Sequence, residues 1–121
     1  MARILIIDDD ENARYAVRAI LENAGHEVSE AENGAVGLRM QAAHRFDLVI
    51  SDVIMPEQDG IETVLQLSKD YPSLPVIVIS GGGADRFLGY LETAEALGAT
   101  RILAKPFLPA DLLGHVEACI G

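Results

Sequence analysis

The stretch Ile4-Leu5-Ile6-Ile7-Asp8-Asp9-Asp10 joins a short, isoleucine-rich run to three consecutive aspartates. Such a run is typical of a strand that is buried on both faces, as in a parallel sheet. Similar runs occur at residues 48–50 and 76–79, with a weaker one at 102–104, and the more polar Glu27–Ala31 suits an edge strand. The sequence therefore predicts five strands, with the acidic triplet directly after the first.

Helical periodicity fills the segments after the strands, so a strand followed by a helix is repeated five times. Gly25 is placed to end the first helix, Asn33-Gly34 to begin the second, and Pro109 to lie in the first turn of the last, while Asp59-Gly60 reads as a turn. This alternation predicts an α/β fold, a doubly wound (βα)5 domain with a five-stranded parallel sheet and helices on both faces. The side chains expected to face the core are Ala13, Val17, Ile20, Leu21 and Ala24; Ala35, Leu38 and Ala42; Ile61, Val64, Leu65 and Ser68; Phe87, Tyr90, Leu91, Ala94 and Leu97; and Leu112, Leu113, Val116, Cys119 and Ile120.

Composition limits the classes of function. The 121 residues contain 50% hydrophobic residues and no linker-like stretch, which predicts a single domain over residues 1–121. A net charge of −10 argues against direct binding of nucleic acid or of anionic membrane surfaces. No apolar run approaches the ~20 residues of a membrane helix. The single cysteine, Cys119, excludes an internal disulfide. We therefore expect a cytoplasmic protein.

Residues with useful chemistry follow four of the five predicted strands. They are Asp8-Asp9-Asp10, Ser51-Asp52, Ser80 and Lys105-Pro106. Because ligands of parallel α/β sheets bind beyond the carboxyl ends of the strands, these residues are expected to share one crevice. Clustered carboxylates repel one another, and a hard divalent cation such as Mg2+ relieves that repulsion. A carboxylate can also act as a nucleophile toward phosphorus, while a lysine and a hydroxyl stabilise the phosphoryl oxygens.

Taken together, these motifs resemble the response-regulator receiver domain of two-component signalling. The resemblance spans nearly the whole chain and implies a flavodoxin-like sheet with strand order 2-1-3-4-5. The matching stretches are Ile4-Leu5-Ile6-Ile7-Asp8-Asp9-Asp10, Asp47-Leu48-Val49-Ile50-Ser51-Asp52, Met55-Pro56-Glu57-Gln58-Asp59-Gly60, Ser80 and Lys105-Pro106-Phe107.

The resemblance assigns the acceptor and the metal ligands. Asp52 resembles the phosphoacceptor, and Mg2+ is the implied cofactor. Asp9 resembles the direct metal ligand and Asp8 the ligand that acts mostly through metal-bound water, while the backbone carbonyl of Ile54 and Asp52 itself complete the protein ligands. Asp10, in contrast, is expected to be a solvated residue or a cap of the first helix and not a metal ligand.

The resemblance also assigns the groups that respond to the phosphoryl group. Ser80 is similar to the switch hydroxyl that hydrogen-bonds it, and Lys105 to the lysine that pairs with a phosphoryl oxygen. Pro106 resembles a proline whose preceding peptide bond is often cis, which would direct Lys105 into the site. Two features depart from the family pattern. Ile102 stands where the family often has an aromatic switch residue, and the segment from Ser80 to Lys105 is longer than usual.

The predicted function is a phosphoryl-accepting signalling switch, not a conventional enzyme, because the substrate is the domain itself. A sensor histidine kinase or a phosphotransfer protein would donate the phosphoryl group to Asp52, and slow autodephosphorylation would reset the switch. By resemblance, the surface that reports the change comprises the fourth helix, the fifth strand and the fifth helix. Its partner would be a downstream protein target or an output domain outside this sequence, and a homodimer is a further candidate assembly.

Two other functions fit parts of the pattern. Asp52 and the metal site would suit an Mg2+-dependent phosphohydrolase with an aspartyl nucleophile, although Val53-Ile54 supplies no second acid. A flavin-binding module shares the predicted topology. Its phosphate loop is normally rich in Ser, Thr and Gly after the first strand, whereas Asp8-Asp9-Asp10 would repel a phosphate.

Overall fold

The computed structural model describes residues 2–52, 59–80, 101–104 and 107–120. The predicted helix around residues 87–97 lies outside them. The described strands are β1 (Arg3–Ile7), β2 (Glu27–Ala31), β3 (Leu48–Asp52), β4 (Val76–Ser80) and β5 (Arg101–Ala104). The described helices are α1 (Glu11–Asn23), α2 (Gly34–His44), α3 (Asp59–Asp70) and α4 (Pro109–Ile120).

The five strands form one parallel sheet in the order β2-β1-β3-β4-β5. The predicted α/β class, parallel sheet and strand order are therefore confirmed. The edge position of β2 agrees with its polar composition. Because the chain leaves β1 for β2 on one side and later adds β3 on the other, the order reverses at β1. The crevice beside such a reversal, beyond the carboxyl ends of the strands, is where doubly wound folds bind ligands.

Alternate residues of the central strands pack into two separate cores, one on each face of the sheet. On the first face, Ile4, Ile6 and Ile50 contact the buried side chains of α1 and α4. On the second face, Leu5 and Ile7 pack with the buried side chains of α3. Each fully buried side chain of this kind stabilises the fold by about 1.5–3 kcal/mol. Both faces are covered, which is why the strands read as continuous apolar runs instead of alternating ones.

The predicted helix boundaries are confirmed at four positions. Asp10 is the N-cap of α1, and Asn33 is the N-cap of α2, where its Oδ1 accepts a hydrogen bond from the Val36 amide at 2.9 Å. Gly25 adopts φ +93° directly after α1, a conformation that glycine reaches without strain. Pro109 is the first residue of α4, where its missing amide hydrogen costs nothing.

The inward face predicted for α2 is wrong at two of its three residues. Ala35 and Ala42 are exposed, whereas Gly34, Gly37 and Gln41 are buried. The sequence of α2 has no clear apolar stripe, so close packing on the sheet determines which face of the helix is buried. Glycine lets the helix backbone approach β1, and the buried glutamine amide is accommodated because its oxygen is hydrogen-bonded.

The α3 prediction also needs correction. Leu65 is 48% exposed, and the buried side chains near it are Thr63, Val64 and Leu67. The helix therefore buries Thr63 and Leu67 beside the predicted Val64, and Leu65 faces outward. Asp59 and Gly60, interpreted from the sequence as a turn, are the first residues of α3. Within the described part of the chain, no helix is long and apolar enough to cross a membrane.

Candidate functional site

Asp8, Asp9 and Asp10, here called the acidic loop, connect β1 to α1, and each has a different environment. Asp8 is buried, with 5% exposure, and its Oδ1 accepts a hydrogen bond from the Asp10 amide at 2.9 Å. Asp9 is exposed. The Asp10 carboxylate accepts hydrogen bonds from the amides of Asn12 at 2.9 Å and Ala13 at 3.4 Å, which confirms its predicted role as a cap. The three aspartates therefore differ: Asp8 is buried, Asp10 is exposed but caps α1, and Asp9 is exposed to solvent.

The partial positive charge at the start of α1 favours carboxylates in the acidic loop. Asp10 makes direct use of it through the two amides that it caps. The loop is also fixed to the neighbouring strand, because the Asp8 amide donates a hydrogen bond to the carbonyl of Ala31 at 3.1 Å. The backbone hydrogen bond of Asp8, the cap formed by Asp10 and the dipole of α1 together stabilise negative charge at the carboxyl edge of the sheet. Only part of this charge, that of Asp8, is buried in the protein.

The register of the sheet places further predicted site residues at the same edge. Ile7 pairs with Ser51, so Asp8 and Asp52 are the next residues on two adjacent strands. Ser80, the last residue of β4, pairs with Ala104 of β5. Because adjacent strands lie about 4.8 Å apart, these backbone positions form one continuous row. Asp52 and Ser80 are placed here by their backbones.

Three of the predicted site residues lie outside the described residues. They are Ile54, Lys105 and Pro106. Lys105 is the residue after Ala104 in the sequence, so it follows the strand end that pairs with Ser80. Ile102, at the position where an aromatic residue was expected, lies within β5 and pairs with Val78.

The donor chemistry at this edge fits Mg2+. Asp8 and Asp9 offer carboxylate oxygens, which are the ligands that this cation prefers, and the exposure of Asp9 leaves room for the waters that it retains. No group of three or more acidic, histidine or cysteine side chains able to hold a metal was found among the described residues. The side chain of Asp52, the predicted third carboxylate, lies outside the described part of the chain.

Sequence reasoning missed a network of charged side chains behind the acidic loop. Arg14 donates from one terminal nitrogen to the Asp8 carbonyl at 2.6 Å and from Nε to Glu30 Oε1 at 3.1 Å. Arg18 contacts the second oxygen of Glu30 at 2.7 Å and Glu22 at 3.2 Å. The hydrogen bond from Arg18, followed by that from Arg14, lowers the pKa of Glu30 against the opposing effect of burial. The four-residue spacing of Arg14, Arg18 and Glu22 was visible in the sequence, but the partner on β2 was not.

The chain is similar to proteins of one family along almost its whole length. Residues 4–117 match the family described as the response regulator receiver domain. Protein PilH of Pseudomonas aeruginosa is 35% identical over 124 residues, covering 99% of this chain and 98% of that protein. The DNA-binding transcriptional regulator NtrC of Rhizobium meliloti is 35% identical over 115 residues, which span 95% of this chain and 23% of NtrC. The structure of chemotaxis protein CheY4 of Vibrio cholerae superposes with a TM-score of 0.88 at 33% identity and covers 99% of both chains.

Proposed function

This chain belongs to the response regulator receiver domain family, whose members are phosphorylation-based signalling switches, and we propose that Asp52 is the residue that accepts the phosphoryl group. The donor is the phosphohistidine of a sensor histidine kinase or of a phosphotransfer protein. The main observation in support of this proposal is that the carboxyl ends of β1 and β3 lie side by side. Asp52 ends β3 beside β1, whose own end leads into the acidic loop.

Receiver domains generally bind Mg2+ at their acidic pocket, and in this chain the proposed ligands are Asp8, Asp9, Asp52 and the backbone carbonyl of Ile54. When bound, Mg2+ neutralises charge on the phosphoryl oxygens during transfer. The burial of Asp8 and the exposure of Asp9 support different roles for the two carboxylates. In this assignment Asp9 would bind the cation directly, and Asp8 would act mostly through water.

The transfer is a nucleophilic substitution at phosphorus. A carboxylate oxygen of Asp52 forms the new O–P bond while the P–N bond to the donor imidazole breaks, and the electron pair of that bond remains on the imidazole nitrogen. The product is an aspartyl phosphate. Lys105 pairs with a phosphoryl oxygen and so offsets its negative charge, and the Ser80 hydroxyl donates a hydrogen bond to another.

Phosphorylation then acts by shifting a conformational equilibrium. The contacts of Ser80 and Lys105 with the phosphoryl group exist only in the modified protein, so they stabilise one conformation over the other. Ile102 stands where the family often has the aromatic side chain that accompanies this change. Autodephosphorylation resets the switch. The protein is its own substrate and does not act as a conventional enzyme.

The proposed partners follow from this role. The modified surface binds a downstream protein or an output domain, and a homodimer is a further form in which it can act. The net charge of −10 supports a protein partner and not nucleic acid as the direct contact. Because response regulators are generally cytoplasmic, we place the chain in the cytoplasm.

A mass measurement tests the proposed acceptor. The protein is incubated with acetyl phosphate and Mg2+, and the expected result is a gain of one phosphoryl group that survives acid and is lost in base. Asp52→Asn should abolish the gain, as should removal of Mg2+ with a chelator. Asp70→Asn, which changes an exposed aspartate at the end of α3, is the matched control and should be modified like the wild type.

Three outcomes would contradict the proposal. They are no modification of the wild type, modification that persists in Asp52→Asn, and repeated turnover of a foreign phosphoester. The last would favour the Mg2+-dependent phosphohydrolase. Bound yellow chromophore in the purified protein would favour the flavin-binding module.

A further inference from the structure

Arg14 contacts the acidic loop at its backbone. The guanidinium donates a charge-assisted hydrogen bond of 2.6 Å to the carbonyl of Asp8, and it does so from the first turn of α1, where the Arg14 amide bonds the Asp10 carbonyl at 3.0 Å. The side chain therefore turns back along the helix toward the loop that precedes it. Arg14 therefore binds both ends of the acidic loop, Asp8 through its side chain and Asp10 through its amide.

The Asp8 carbonyl that Arg14 binds determines the backbone position of Asp9. A peptide unit is planar, so the direction of the Asp8 carbonyl also fixes the nitrogen and Cα of Asp9. Asp9 is exposed and belongs to a loop, so its carboxylate depends on its backbone for direction. A hydrogen bond to this one carbonyl consequently orients the residue that is proposed to bind Mg2+ directly.

Arg14 is itself held in place. Its side chain is only 14% exposed, and Glu30 on β2 accepts its second hydrogen bond at 3.1 Å. Glu30 also contacts Arg18 at 2.7 Å. A long side chain that is restrained at two of its three guanidinium nitrogens is already held in one orientation, which suits a positioning role.

We propose that Arg14 is a positioning residue for the Mg2+ site, acting through the Asp8 carbonyl to orient Asp9. This inference rests on the proposed function, because it assumes that the acidic loop binds the cation. Partners of this kind behind metal ligands commonly influence affinity strongly although they never touch the metal.

The charge of Arg14 makes the inference testable. Removing that charge and losing the positioning contact would change the affinity for Mg2+ in opposite directions. Removing a positive charge from an acidic neighbourhood should strengthen the binding of a cation or leave it unchanged. Losing the positioning contact should weaken it. Arg18 provides the matched comparison, since it carries the same charge, lies on the same helix and binds the same glutamate, but its hydrogen bonds go to Glu22 and Glu30.

The experiment titrates MgCl2 into the full chain, with backbone amide shifts read by NMR, for the wild type, Arg14→Ala and Arg18→Ala. Arg14→Ala should weaken Mg2+ binding about tenfold, the lower end of the range for such partners. Arg18→Ala should stay within about twofold of the wild type, because Arg14 still has its own hydrogen bonds to the Asp8 carbonyl and to Glu30 in that variant. Urea unfolding in parallel verifies that each variant is folded under the titration conditions.

A second measurement needs no metal. The Asp10 amide, which donates to Asp8 Oδ1, should exchange its hydrogen faster in Arg14→Ala than in the wild type, and at the wild-type rate in Arg18→Ala. The inference is overturned if Arg14→Ala binds Mg2+ as tightly as the wild type, or if both arginine variants weaken binding equally. Wild-type protein that binds no Mg2+ would overturn the proposed function together with this inference, so the two failures are distinguishable.

Discussion

Gly37 of α2 lies so close to Ile7 of β1 that a Cβ atom on the glycine would come within 2.8 Å of Ile7 Cγ1. Ile7 is fully buried, and its backbone directly precedes Asp8. The absence of a side chain at one position of α2 therefore allows this helix to pack on the strand that delivers the acidic loop. Packing of α2 and placement of the site are linked through this one contact.

Gly37→Ala should destabilise the protein by about 1–3 kcal/mol, the usual cost of forcing extra volume into a packed core. Ile7 cannot move aside, because it is surrounded by other buried side chains of its core cluster. Urea unfolding monitored by circular dichroism measures the change.

Gly114→Ala is the matched control for this substitution. Gly114 also lies within a helix, but a Cβ there meets nothing within 4 Å. Alanine should stabilise the protein at this position by about 0.5–1 kcal/mol, because glycine loses more backbone entropy in a helix. Equal effects of the two alanines on stability would show that Gly37 is not closely packed.

Asp10→Ala should cost about 1 kcal/mol, the usual value of an N-cap. The substitution leaves the amides of Asn12 and Ala13 without their carboxylate acceptor at the start of α1. Asp10→Ser retains a capping oxygen and should lie much closer to the wild type in thermal unfolding. If the serine variant were as unstable as the alanine variant, charge and not capping would be the cause.

Gln41→Leu should destabilise the protein by about 1–3 kcal/mol even though the side-chain volume is nearly kept. Gln41 is 2% exposed, and its Oε1 accepts the Phe46 amide at 3.0 Å in a buried setting. Leucine removes that acceptor and leaves a buried amide unsatisfied. Gln66→Leu, at an exposed position of α3, should change the free energy of unfolding by less than about 0.5 kcal/mol.

The Glu30 network should make stability depend on pH in the acidic range. Hydrogen bonding to Arg18 and Arg14 lowers the pKa of Glu30, so the folded protein releases this proton more readily than the unfolded chain does. The resulting stabilisation is fully present above the ordinary glutamate pKa of about 4.3 and is lost as the pH falls through the lower folded value. Chemical unfolding at a series of pH values should therefore show the wild type losing its advantage over Glu30→Gln below about pH 4.

Arg18→Ala serves as the control for that pH dependence, because it removes the largest cause of the lowered pKa. Its stability should approach that of Glu30→Gln and vary less with pH than the wild type does. Parallel curves for the wild type and Glu30→Gln over the whole range would mean that the network contributes no linked stability.

Local signals in the sequence were sufficient for the strands, the class of fold and most of the helix boundaries. A strand buried on both faces must be apolar along its length, so the apolar run before Asp8 could be recognised as a strand from the sequence. Caps are equally local: Asp10, Asn33 and Gly25 act on amides or backbone angles within a few residues. The position of the acidic residues after a strand end followed from the same pattern.

Contacts between distant segments could not be read in this way. The face of α2 depended on how closely Gly37 could approach Ile7, a fit that involves two elements. Arg14 and Glu30 are 16 residues apart on a helix and a strand, so no periodicity connects them. The strand order was expected from resemblance alone, because the apolar runs look alike and only their pairing distinguishes them.

The sequence alone determined that three aspartates follow the first strand, because composition and strand pattern are properties of neighbouring residues. Only the tertiary structure decided what surrounds each of them. Packing buries Asp8 beside β2 and β3, leaves Asp9 in solvent and turns Asp10 onto the amides of α1. Burial and hydrogen bonding depend on which other segments arrive at the same edge of the sheet, and that is fixed by the packing of the whole chain.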